Sequence, residues 1–223
     1  DVFIKHDSGM GRLGFQDAQF KEAISSLEKS NNINKITLMT HFSSADNLES
    51  KTTSEQVIDF ENAVGSHNYS LSLANSAAIL AWESTHKDYT RPGIMLYGSS
   101  PFKDTLQQKK LAPVMTLSSS LISIKNFKAG QSIGYGERFI CKKDTLIGVV
   151  AIGYADGYPR SAKDGAPVFI NGLRCSVAGR VSMDMMTIDL SNALNPQVGD
   201  RVELFGENIP VDELAEWCSS DLL

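Results

Sequence analysis

A chain of 223 residues that is 42% hydrophobic and 21% charged can bury one sizeable core, or two smaller ones if it divides. Its formal net charge of −5 excludes a general nucleic-acid binder, which needs a basic face to neutralise phosphates, but leaves room for a small anionic ligand in a locally positive pocket. Cys141, Cys175 and Cys218 are too few and too scattered for a disulfide framework or a paired-cysteine zinc site, which points to a reducing cytoplasm, and no run approaches the roughly 20 apolar residues of a membrane span.

The first residues, Asp1-Val2-Phe3-Ile4-Lys5, carry no initiator Met and no signal-type leader, and read as a strand in progress, so a piece of something longer is expected. Val2 to His6 is extended. Asp17 to Lys29 sets Phe20, Ala23, Ile24 and Leu27 on one face of a helix. Lys35 to Phe42 is a β-branched, apolar strand, and Thr53-Ser54-Glu55-Gln56 is a Thr-x-x-Gln capping box that opens a helix to about Gly65. Tyr69 to Ala74 alternates as a strand does, Ser76 caps a helix through Trp82, and Arg91 to Tyr97 supplies a fourth strand or a strand-like turn. This alternation, at about 30 residues per unit, implies a parallel sheet with right-handed crossovers, in a doubly wound sheet or part of a (β/α) barrel. Four strands cannot close an eight-stranded barrel. Asp7, His41 and Asn75-Ser76 all fall at or just past carboxyl ends of these strands, the face on which barrels place their sites, and this favours the barrel.

Past Pro113 strands follow one another without helices: Val114 to Lys125, Thr145 to Ile152, Ala166 to Ile170, Arg174 to Val181, Met186 to Leu190 and Arg201 to Phe205. Asn171-Gly172 is a two-residue hairpin turn, 128–131 and 197–200 are further turns, and Val211 to about Trp217 is helical. The organisation is therefore a partial (β/α) barrel over 1–111 and a β-domain over 112–223. In the run IGYGERF, Ile133 to Phe139, two glycines flank Tyr135 and permit a bend that projects the ring out of a sheet. From the residues alone, Tyr135 serves packing or an interface as readily as catalysis.

KHDSGMGRLG (Lys5 to Gly14), THFSSAD (Thr40 to Asp46), ANSAA (Ala74 to Ala78), RPGIMLYG (Arg91 to Gly98), IGYGERF, IGYADGYPR (Ile152 to Arg160) and GRVSMDMM (Gly179 to Met186) occur in one order along nearly the whole chain. Together they resemble alanine racemase. The resemblance implies a head-to-tail homodimer with pyridoxal 5′-phosphate (PLP) in the mouth of an eight-stranded α/β barrel, of which this chain carries the C-terminal half, and a β-domain reaching across from the partner subunit.

By that resemblance Arg91 is the arginine that hydrogen-bonds the pyridine nitrogen of PLP; a guanidinium keeps its proton, so the ring is a poorer electron sink than with a carboxylate partner. Ser76, Gly93 and Ile94 resemble the phosphate-holding residues, with Asn75 behind them; otherwise Asn75-Ser76 reads as an ordinary N-cap. His41 resembles the histidine bridging that arginine and the catalytic tyrosine, Arg12 the arginine on the PLP phenolic oxygen, and Lys5 stands where some members carry a carbamylated lysine. Tyr135, from the partner chain, resembles the second of two bases that racemisation places on opposite faces of the substrate Cα. Tyr154 resembles a tyrosine at the substrate entrance, Asp184 an acid there, and Met183 a residue whose backbone N–H takes the substrate carboxylate; Ser182 stands where many members have cysteine. The family's PLP-anchoring lysine, in a V-x-K-A-N-A-Y-G run, has no counterpart in this sequence, and its C-terminal tyrosine would lie beyond Leu223. The 223 residues alone are accordingly expected to be inactive, and the activity implied is L- and D-alanine interconversion in the cytoplasm, supplying D-alanine for peptidoglycan. A racemase of broader range, acting on serine or basic amino acids, and a non-catalytic dimerisation or ligand-binding module are the alternatives.

Overall fold

A computed structural model describes residues 1–102 and 111–218, which divide into two compact units between residues 111 and 112. In the first, strands β1 (Val2–Lys5), β2 (Ile36–Met39) and β3 (Ser70–Ser72) form a parallel sheet in the order β1-β2-β3, with Ile4 opposite Leu38 and Leu38 opposite Leu71. Helices α1 (Asp17–Glu28), α2 (Thr52–Val64) and α3 (Ser76–Ala81) follow the three strands in turn. Phe20 and Ile24 on α1, and Phe60, Ala63 and Val64 on α2, fall at helical spacings and are buried with Ile4, Leu38 and Leu73. Each of these side chains larger than alanine contributes roughly 1.5–3 kcal/mol through removal from water, more than helix propensity supplies.

Two capping expectations fail here because a long-range partner outweighs a local one, and of the two readings of 91–97 the strand gives way to a turn for a local reason. The Thr-x-x-Gln box does not cap α2. That helix begins at Thr52 without a side-chain cap, and Gln56 instead donates Nε2–H to His41 O (3.2 Å) and accepts Ser43 N–H at Oε1 (3.0 Å). Asn75, not Ser76, caps α3, its Oδ1 accepting Ala78 N–H at 3.0 Å. The fourth strand does not form. After Pro92-Gly93 the apolar run Ile94–Tyr97 curls into a 3-10 turn that ends on Gly98 in the left-handed region, while a single parallel bridge from Tyr89 to Ser72 is the only extension of the sheet in this stretch.

The second unit is a closed barrel of six antiparallel strands in the order β10-β7-β4-β11-β8-β9. They are β4 (Leu117–Phe127), β7 (Thr145–Val150), β8 (Pro167–Ile170), β9 (Leu173–Val177), β10 (Met186–Asp189) and β11 (Arg201–Phe205). The long β4 pairs with β11 through its first half and β7 through its second, and β9 with β10 closes the ring. Asn171 and Gly172 form the expected two-residue turn, both with positive φ, and set Ile170 opposite Leu173. Alternate residues, among them Leu121, Val150, Val168, Val177, Ile188 and Val202, fill the interior, and α4 (Val211–Cys218) adds Leu214 and Cys218 to that core. A two-stranded hairpin, β5 (Ser132–Ile133) and β6 (Phe139–Ile140), stands outside the ring and carries Tyr135 between its strands. Among the described residues no helix is long and apolar enough to cross a membrane.

Candidate active site

The carboxyl ends of β1, β2 and β3 bring Lys5, His41 and Arg91 together. Arg91 enters by its N–H to Ala74 O (2.9 Å), and its guanidinium is seated almost wholly on main-chain oxygens. Nη1 donates to Ser72 O (2.9 Å) and Ser72 Oγ (2.6 Å), and Nη2 to Thr40 O (2.6 Å) and Leu73 O (3.2 Å). These four acceptors account for the four Nη protons, which leaves Nε–H as the guanidinium's free donor among the described residues. His41 Nδ1 lies 3.4 Å from Nη2. A lone pair on Nδ1 suits that neighbour and puts the ring proton on Nε2.

Burial, then Arg91, Lys5 and Arg12, hold His41 below the usual histidine range, so it is neutral at pH 7. Lys5 is likewise lowered by burial and by Arg12 and Arg91, with Asp7 opposing. Asp7 shapes the loop that presents Arg12: its Oδ1 accepts Gly11 N–H (2.9 Å) and Gly9 N–H (3.3 Å), and the loop closes on Phe15 N–H to Lys5 O (2.8 Å). These bonds, that from Gly11 foremost, hold the Asp7 carboxyl below its ordinary range. The result is a cluster of three cations, Lys5, Arg12 and Arg91, on an acidic protein, the electrostatic complement of an anion.

Buried Ser76 sits beside it. Its Oγ accepts Gly93 N–H (2.8 Å) and is 3.4 Å from Met95 N, so the N–H groups at the Ile94–Tyr97 turn are aimed at the hydroxyl, whose own proton is left to donate. Asn75 braces this corner as the α3 cap. For a phosphorylated, heteroaromatic cofactor the donor set fits, with the Ser76 hydroxyl, backed by the N–H groups aimed at it, for the phosphate and a single N–H donor, Arg91 Nε, for a ring nitrogen. The buried His6 is hydrogen-bonded through Nε2 to Asp17 Oδ1 at 2.8 Å, and Asp59 Oδ2 lies 3.6 Å from Nδ1, beyond hydrogen-bond distance.

In the second unit, Tyr135, Tyr154 and Met183 line one cleft of about 350 Å³, together with Arg160, Arg180 and Ser182. Gly134 (φ 75°) and Gly136 (φ 69°) turn the chain through the left-handed region on either side of Tyr135, whose residue is 72% exposed. The Tyr154 turn docks on the Met183 turn through Tyr154 N–H to Ser182 O (3.0 Å) and Ala155 N–H to Met183 O (2.9 Å). Such close approach needs Gly153, where a Cβ would lie 2.2 Å from Met183 O. Arg160 lies over Tyr154, 5.3 Å from the ring centroid. Asp184 is exposed beside the cleft without lining it.

The candidate residues thus gather in two groups, one in each unit: Lys5, Arg12, His41, Asn75, Ser76, Arg91, Gly93 and Ile94 in the first; Tyr135, Tyr154, Met183 and Asp184 in the second. Sequence reasoning missed Ser72, Gln56, Arg160 and Arg180. The two arginines stand inside runs already singled out, IGYADGYPR and GRVSMDMM, and that adjacency was the signal available.

Residues 1–101 match the family model "Alanine racemase, N-terminal domain" and residues 114–221 "Alanine racemase, C-terminal domain". The alanine racemase of Aromatoleum aromaticum is 46% identical over 216 residues, covering 97% of this chain and 61% of that protein. That of Pasteurella multocida is 47% identical over 216 residues, covering 96% of this chain and 60% of that protein. The crystal structure of biosynthetic alanine racemase from Pseudomonas aeruginosa superposes with a TM-score of 0.88 at 42% identity, covering 99% of this chain and 62% of that one. The Bartonella henselae alanine racemase, solved with covalently bound pyridoxal phosphate, gives 0.82 at 27% identity, covering 98% of this chain and 61% of its own. The chain spans about three fifths of the length of these relatives.

Proposed function

This chain belongs to the alanine racemase family, and on that premise we propose that it takes part in the PLP-dependent interconversion of L- and D-alanine, supplying D-alanine for peptidoglycan in the cytoplasm. The observation that carries the proposal is the convergence of Tyr135, Tyr154 and Met183 on one cleft, with the Tyr135 ring exposed. Bound PLP supplies an electron sink that acidifies the substrate Cα–H. Arg91 offers Nε–H to its pyridine nitrogen and, retaining its own proton, keeps that nitrogen unprotonated. Ser76, Gly93 and Ile94 hold the phosphate, Asn75 supports them, and Arg12 addresses the phenolic oxygen. Lys5 is the position for carbamylation, which would replace an amine among cations by an anion. PLP held in this way is supported by the clustering of the Lys5, Arg12 and Arg91 cations.

Tyr135 Oη gives or takes the proton at one face of the substrate Cα, the opposite face belonging to the family's PLP-anchoring lysine, which has no counterpart in this sequence. We assign Tyr135 to the partner subunit of a head-to-tail homodimer, with neutral His41 orienting its phenol. Met183 N–H takes the substrate carboxylate, and Tyr154 and Asp184 stand at the entrance. The parallel order β1-β2-β3 with a helix after each strand is that of a segment of a (β/α)8 barrel wall and equally of one half of a doubly wound sheet, and the likeness to solved alanine racemases supports the barrel. The test is Tyr135→Phe in the complete reading frame, with racemisation followed in both directions and Cα deuterium uptake read from each enantiomer. Racemisation is expected to fall by about 10²–10⁴ while uptake persists from one enantiomer alone. Unchanged racemisation overturns the assignment, and turnover of serine or basic amino acids in preference to alanine overturns the substrate.

A further inference from the structure

We propose that Arg138 is the positioning residue that fixes Tyr135, through a clamp on Gly179 that it shares with Asp164; this rests on the reading of Tyr135 as a base. Tyr135 occupies a single 3-10 turn between two-residue strands, flanked by left-handed glycines, and its exposed ring has little packing within its own chain to hold it. A base held so loosely would meet Cα in a small fraction of encounters, and a misplacement of about 1 Å costs on the order of 10²-fold in rate. The loop therefore needs an anchor outside the ring.

Arg138, three residues on, provides it. Its Nη2 donates to Gly179 O (2.8 Å), Asp164 Oδ1 (3.0 Å) and Ala162 O (3.2 Å), and Asp164 Oδ1 accepts Gly179 N–H (2.7 Å). Both polar groups of Gly179 are thereby captured by one ion pair, whose side chains are only 29% and 28% exposed, enough shielding for the pair to resist salt. Gly179 in turn lies under the Tyr135 turn: a Cβ there would come within 3.0 Å of Ile133 O, and one at Gly134 within 3.6 Å of Arg180 N. Since Arg180 to Met183 line the cleft with Tyr135, the clamp sets the spacing between the phenol and the opposite wall. Arg138 itself does not line the cleft. It acts only through the loop.

Arg138→Ala and Arg138→Lys are to be compared with Asp164→Asn in the complete reading frame. In Arg138→Ala, kcat is expected to fall about 10²-fold with KM for alanine little changed, because the Tyr154–Met183 contacts remain. Arg138→Lys, which keeps one donor to Asp164, is expected to fall between that variant and wild type, and free guanidinium to restore part of the Arg138→Ala rate. Without cofactor, amide hydrogen exchange over 133–139 should quicken about 10-fold while that over 145–150 stays at the wild-type rate. If Arg138→Ala does not fold, Arg138→Lys and Asp164→Asn carry the same comparison. Wild-type kcat, an equal fall in kcat and rise in KM, or unchanged exchange over 133–139 overturns the clamp. If Tyr135→Phe is also fully active, the reading of Tyr135 fails instead.

Discussion

Replacing Gly153 by alanine tests the geometry of the cleft at its tightest point. Gly153 has φ −142° and ψ −163°, extended backbone that alanine accepts, so any cost arises from collision and not from conformation. The added methyl would sit 2.2 Å from Met183 O and 2.4 Å from Ser182 O, both main-chain atoms that cannot swing aside. Relief requires the two turns to part, which breaks Tyr154 N–H to Ser182 O and Ala155 N–H to Met183 O. Two such bonds are worth about 1 kcal/mol each, and overpacking adds about 1–3 kcal/mol, for a loss of about 3–5 kcal/mol. With a urea dependence of about 2 kcal/mol per M, the unfolding midpoint should drop by roughly 2 M. The assay is urea titration followed by Trp217 fluorescence in a Trp82→Phe background, which isolates the β-unit. KM for alanine should rise in parallel, since Tyr154 and Met183 lose their mutual seat. A midpoint equal to that of the Gly153 protein would show that the turns do not approach as described, and the reasoning about the cleft wall would fall with it.

Arg91→Lys should prove far from conservative. An ammonium has three donors where the seat offers four acceptors, and it lacks the flat Nε–H, so at least one of the four loses its donor. A stability loss of about 1–3 kcal/mol is expected, together with weakened PLP binding, read by thermal denaturation and by cofactor titration; wild-type values in both would refute the seat. His41 gives a pH signature. Its folded pKa is depressed, so between that value and about 6.5 the unfolded chain binds the extra proton and stability declines as pH falls through this window, by up to 1.36 kcal/mol per pH unit. Above it the contribution is constant. Denaturation midpoints from pH 5 to 8 should show this slope in wild type and a smaller one in His41→Asn, and identical slopes would contradict the burial and charge assigned to His41.

The sequence made the β-unit more legible than the loops of the α/β unit. Alternating apolar residues with one buried face leave β7 to β11 few choices of register, and the positive-φ pair Asn171-Gly172 admits few turns. The Tyr135 projection was readable for the same reason, from its flanking glycines. Gln56 and Ser76 are opaque because their partners lie far along the chain, His41 for Gln56 and Gly93 for Ser76, whereas in 91–97, read as a strand or a strand-like turn, a local proline and a left-handed glycine outweigh the apolar run and leave a turn. Arg138 was equally opaque, its acceptors lying 24 to 41 residues onward.

Because carbonyl oxygens of Ser72, Leu73 and Thr40 seat the Arg91 guanidinium, its docking is written in the path of the backbone more than in side-chain identity. Thr40 and Leu73 are answerable to the core around them but not to the cation, so evolutionary drift at either position leaves the socket intact while the strands keep their course. Ser72, through its hydroxyl, and His41, through Nδ1, are the side chains tied to that docking among the described residues.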